Sequence, residues 1–152
     1  MIDVACCIPP WTASKKKNIY KTINMNSRDE FLKKFRGDAL GKTDGQSSLE
    51  EYFQNTTLRP ILKLQNDLIL TAFKTYILQN KIPFEIYSTD KKNTAIENAI
   101  LKDIKFQNLL KGFAIGLFTA DEFTLYSDAS SSINKRIRSM IIERLQSQLQ
   151  LI

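Results

Sequence analysis

Two groups of cations and amides have the residue types from which an anion site is built. Arg59, Lys63, Asn66 and Asp67 fall at spacings that put all of them on one helical face. Asn134, Lys135, Arg136 and Arg138 sit together in the opening turns of the last helical stretch. A guanidinium offers paired donors to a carboxylate or phosphate, and the free amides of a first helical turn can add to them. Cations in that first turn also oppose the helix dipole, at about 0.3–1 kcal/mol each when exposed, so something should offset them. An anionic ligand is one offset. Asp121, Glu122 and Asp128 are another, through ordinary ion pairs, and a Lys63 to Asp67 pair on a solvated face is the plain reading of the first group. If the two groups meet between helices they form an anion pocket, but spacing alone does not bring them together.

Other chemistry is poorly supplied. The chain has no His, which removes the commonest general base and metal ligand, and with them the Ser-His-Asp, Cys-His and HExxH mechanisms. Gly37, Gly41 and Gly45 recur at a spacing of four but lack the GK[ST] ending of a phosphate loop. Asp121 and Glu122 point about 100° apart on a helix and do not converge for acid-base work. No carboxylates stand at i, i+4 on an inward face, so neither metal nor cofactor is expected. Gly112-Phe113-Ala114-Ile115-Gly116 has GxxxG spacing, which predicts close helix approach or a bend.

The net charge of +6 and a pI near 9.3 suit a nucleic-acid binder. Half of that charge, however, lies in the first 24 residues, where Lys15, Lys16, Lys17 and Lys21 face only Asp3. No segment matches a recognition helix beside a tight turn, so sequence-specific nucleic-acid binding is not expected. Lys135, Arg136, Arg138 and Arg144 could still grip phosphates non-specifically.

The elements that must position these residues read as helices. With 152 residues the chain has the length of one domain. Ser27-Arg28-Asp29-Glu30 forms a capping box before Phe31, Leu32 and Phe35, and Gly37 ends that helix. Ser47 or Ser48 opens a short helix with Leu49, Tyr52 and Phe53. Thr56 or Thr57 caps a longer one with Pro60 in its first turn and apolar residues from Leu58 to Ile77 on a wide arc. Thr89-Asp90 starts another long helix through Phe113. Thr119-Ala120-Asp121-Glu122 is a further capping box, Ser127 to Ser132 form an interruption, and Ile133 to Ile152 carry a last stripe. Phe84 to Tyr87 is the single alternating piece and is too short for a sheet. The expected fold is an all-α bundle of three long and two or three short helices spanning 25–152.

Residues 1–24 are expected to be a flexible tail, and an extension ahead of Met25, because they show no periodicity and Pro9-Pro10 closes their apolar start. Cys6 and Cys7 are neighbours and predict no disulfide. No apolar run approaches the roughly 18 residues that span a bilayer. A cytoplasmic protein without membrane association is expected.

The stretches Phe53 to Lys63, Lys111 to Thr119, Asn134-Lys135-Arg136 and Glu143-Arg144-Leu145 together resemble a small bacterial family of uncharacterised proteins commonly labelled glyoxalase. The resemblance covers about residues 25 to 150, and none of its motifs has a known catalytic role to carry over. Three functions are thus in view. The first is a non-enzymatic helical module that recognises an anionic ligand or protein partner through Arg59, Lys63, Asn66, Asn134, Lys135, Arg136 and Arg138. The second is the lyase that the resemblance implies, with a carboxylate-held divalent metal. The third is an assembly protein that buries the wide arc of residues 58–77 in a homodimer.

Overall fold

The computed structural model describes residues 27–41 and 48–152. The expected tail at 1–24, Gly45 and Ser47, and the Ser27 side chain with its expected capping box, lie outside the described residues. The fold is all-α, and no strand occurs among the described residues. Helix α1 (Ser27–Arg36) leads through Gly37, at φ 78°, into a loop described as far as Gly41. Then follow α2 (Leu49–Phe53), a π-helical turn (Gln54–Leu58), α3 (Arg59–Leu64) and α4 (Asn66–Gln79). A 3₁₀ turn (Phe84–Ile86) replaces the alternating piece, and after it come α5 (Thr89–Lys102) and α6 (Ile104–Ile115). The chain continues with α7 (Ala120–Asp128), α8 (Ser130–Gln146) and a last 3₁₀ turn (Leu149–Leu151). No helix among the described residues is long and apolar enough to cross a membrane.

Several boundaries differ from the periodicity. Residues 49–64 run as one continuous helical path, so neither Thr56 nor Thr57 is a cap. The Thr56 hydroxyl donates back to Tyr52 O at 2.8 Å, and Thr57 donates to a side chain far along the chain. The path widens at 54–58 because Pro60 brings no N–H to its upstream carbonyls. The freed Asn55 carbonyl accepts the Leu40 N–H at 2.9 Å instead, docking the loop after α1. The two long helices are each divided, at Gln65 and at Asp103. Asp103 starts α6 by accepting the Phe106 N–H on Oδ1 at 3.0 Å. The expected interruption at Ser127 to Ser132 shrinks to Ala129, with Ser130, Ser131 and Ser132 already inside α8. Lys135, Arg136 and Arg138 are therefore one to two turns beyond the helix start, where the dipole no longer argues for an anion.

Helix α8 is the centre of the packing. It lies against α5 and α6, burying Ile133, Ile137, Ile141 and Leu145 as one stripe. The wide arc of residues 58–77 is filled largely within the chain, since Leu58, Ile61, Leu62, Ile69, Leu70 and Phe73 are all buried. Phe73 sits among Phe84, Phe106 and Tyr76, with ring centroids 5.6, 6.3 and 6.4 Å away. Neither glycine of the GxxxG stretch mediates a helix approach: a Cβ on Gly112 would meet nothing within 4 Å, and one on Gly116 would meet only the Gly112 carbonyl.

Helix α1 is held by charge. Arg28 donates to the Phe118 and Gly116 carbonyls at 3.0 and 3.1 Å, and Arg36 donates to Leu117 O at 3.0 Å. These carbonyls follow the end of α6, where helical partners run out. Arg36 also forms a bidentate pair with Glu122, both bonds at 2.7 Å. Glu122 further accepts from Thr57 Oγ1 and from Thr119 N, each at 2.8 Å, the second being half of the expected capping box on α7. Asp29 Oδ2 takes the Ala120 N–H at 3.1 Å.

Candidate functional site

A groove of about 590 Å³ opens between α3 and α8. The wide turn and the following helix bring Gln54, Arg59 and Lys63 to one wall, while Met140, Glu143, Arg144 and Gln148 form the other. Leu40 closes one end, placed there by the hydrogen bond that its N–H donates to Asn55 O in the π turn. Arg59 is fixed from the same side, since its Nη1 donates to Leu40 O at 3.2 Å. Gly41, at φ 115°, lies directly beneath that guanidinium.

Three cations, Arg59, Lys63 and Arg144, line this groove against one carboxylate, Glu143. Glu143 forms no ion pair with any of them; among the described residues, the ion pairs within 4 Å are Arg28–Asp29 and Arg36–Glu122. Arg144 is half-buried, and burial lowers its pKa, a sign that its charge is held where solvent compensates it poorly. Its Nη1 donates to Asn66 Oδ1 at 3.1 Å, a neutral amide, and its buried Nε has no hydrogen-bond partner among the described residues. Arg136 is likewise half-buried and donates to a neutral amide, Gln54 Oε1, at 2.6 Å. Gln148 completes the amide set by giving Nε2 to Asn66 Oδ1 at 2.9 Å and accepting Asn66 Nδ2 at 3.1 Å. The arrangement can receive an anion from three directions.

The two predicted groups thus meet only in part. Arg59 and Lys63 line the groove, Asn66 orients Arg144 from behind, and Arg136 reaches the wall through Gln54. Asn134 does not take part: its Oδ1 accepts the Tyr126 hydroxyl at 3.1 Å. Lys135 is exposed and Arg138 half-buried, and neither lines the groove. The expected pairing of this basic group with Asp121, Glu122 or Asp128 is absent among the described residues, and Glu122 is taken by Arg36. Sequence reasoning gave Arg144 a non-specific role and passed over Gln54 and Gln148. Arg136, Met140 and Arg144 stand four apart, and that spacing, combined with the Arg59 face, was the available signal. Among the described residues no three or more Cys, Asp or Glu side chains come together in a way that could hold a metal ion.

Gly41→Ala tests the groove's support. A Cβ there would stand 2.6 Å from Arg59 Nη1 and 3.1 Å from the Asn55 side chain, at a φ that only glycine adopts freely. The variant is expected to lose about 1–2 kcal/mol of stability in denaturant unfolding, the cost of a strained backbone position. Arg59 should swing away from Leu40 at the same time.

The fold and the groove define a small all-α protein with a cationic interhelical cleft. Compared with known proteins, the chain matches no family model, no curated protein sequence and no solved structure.

Proposed function

We propose that this chain is a helical recognition module that receives an anionic group of a ligand or protein partner in the groove between α3 and α8. The observation that carries this reading is Arg144: a half-buried guanidinium facing Arg59 and Lys63 across a cleft, without a carboxylate partner among the described residues. A charge partly removed from water and left uncompensated costs free energy, and an incoming carboxylate or phosphate would recover it through charge-assisted hydrogen bonds. Asn66 and Gln148 support the same reading, because they orient the guanidinium without neutralising it.

Thermal unfolding with inorganic phosphate, pyrophosphate and citrate tests it. A ligand at a hundred times its dissociation constant stabilises by about 2.7 kcal/mol, and here the gain should fade with added salt. The variant Arg59→Glu/Lys63→Glu, altered at two exposed positions, should fold normally and lose the gain. No stabilisation by any of these anions, or an equal gain in the charge-reversed variant, would overturn the proposal.

A further inference from the structure

A larger cleft lies elsewhere, along α5 where Asp103 turns the chain into α6, and its volume is about 930 Å³. That is the size of a site for a small organic molecule, in the range of about 300–1,000 Å³. One wall is aromatic and aliphatic: Tyr76 and Tyr87, both half-buried, with Ile82 and Ala95. Tyr76 stacks on Phe106, with centroids 4.3 Å apart. The rim is cationic, since Lys91, Lys102 and Lys105 are exposed around it and form no ion pair among the described residues.

The carboxylate at this site is partly engaged. Asp103 caps α6, its Oδ1 accepting the Phe106 amide at 3.0 Å. Burial, together with the nearby charge of Asp103, pushes the Tyr76 pKa up, so this phenol stays neutral at physiological pH. The three lysines thus outnumber the one carboxylate in the lining, and the aromatic wall favours a flat ring over a flexible chain.

We infer that this cleft is a second binding site, independent of the α3–α8 groove, for a planar aromatic molecule bearing one carboxylate, its ring against Tyr76 and Tyr87 and its charge toward Lys91, Lys102 and Lys105. Size, ring chemistry and charge agree on that class of ligand.

Titration of the full chain with 2-naphthoate, followed by calorimetry and by amide shifts in NMR, tests this. Binding should move resonances of residues 76, 87, 95 and 102–105. The uncharged isostere 2-naphthalenemethanol should bind at least tenfold more weakly. Ala95→Leu should fill the cleft and weaken 2-naphthoate at least tenfold, and the triple variant Lys91→Glu/Lys102→Glu/Lys105→Glu, changed only at exposed positions, should do so even if Ala95→Leu perturbs folding. Arg59→Glu/Lys63→Glu should bind 2-naphthoate as the parent does, which separates this site from the groove. Absence of binding at millimolar ligand, equal affinity for the uncharged isostere, or unchanged binding in the lysine variant would overturn the inference.

Discussion

Glu122→Ala is expected to lower the unfolding free energy by about 3–5 kcal/mol, the usual cost of removing one member of a buried ion pair. The magnitude follows from what is left behind. Arg36 is 4% exposed at its side chain, so losing both 2.7 Å bonds strands a guanidinium away from water. Thr57 Oγ1 and the Thr119 amide lose their acceptor in the same step. Helix α1 should fray first, and amide exchange over residues 28–36 should accelerate before the rest of the chain. Arg36→Met/Glu122→Ala should cost less than the sum of the two single changes, because no charge is then left stranded. A loss below about 1 kcal/mol in urea would show that the pair is solvated and does not anchor α1.

The same carboxylate sets an acid limit. Burial raises the Glu122 pKa, but the Arg36 hydrogen bond, the Thr119 amide, the Arg36 charge and the Thr57 hydroxyl together outweigh it and bring the value below that of a free glutamate. A folded pKa under the unfolded one means that the stability Glu122 contributes is complete above the ordinary carboxylate value. It is then lost as the pH falls through the depressed one. Acid unfolding of Glu122→Ala should accordingly be flatter than that of the parent over this window.

Phe73→Ala is expected to cost about 3–5 kcal/mol, because the ring is 1% exposed and its neighbours Phe84 and Phe106 come from different elements that cannot close the void together. For a chain of this size that corresponds to roughly 10 °C in Tm, measurable by calorimetry. Exposed Leu78, on the same helix, provides the control: Leu78→Ala should change Tm by little.

Much of the helical framework was legible because it is local. The capping box Thr119 to Glu122 needs only four consecutive residues, and the stripe Ile133, Ile137, Ile141, Leu145 needs only a period. What depended on distant partners was not. Arg36 and Glu122 are 86 residues apart, so no spacing relates them, and a capping role already accounted for Glu122. The breaks at Gln65 and Asp103 carry neither Pro nor Gly. At Asp103 the side chain competes for a backbone amide, a choice that many aspartates in helical patterns do not make. Ser130 to Ser132 read as a loop by propensity, yet they join α8 because the helix is held by its buried stripe. Two of the three cations of the candidate groove, Arg59 and Lys63, were likewise visible. Arg144 was set apart only by the packing of α8, which turns it inward beside Asn66.

The wide turn at 54–58 has one more consequence. Its hydrogen bonds close over five residues where an α-helix closes over four, so Arg59 N–H reaches Gln54 O and the buried positions Phe53 and Leu58 stand five apart. The turn therefore works as a length buffer: it absorbs one surplus residue within a single revolution and leaves the flanking faces in phase. A shortened chain lacking Thr56 could tighten to ordinary pitch and still aim Arg59 and Lys63 as before, whereas the same deletion inside α8 would rotate everything beyond it by about 100° and dismantle the central stripe. Tolerance to changes in length is thus distributed unevenly along this molecule, and it is concentrated beside the residues that line its cationic groove.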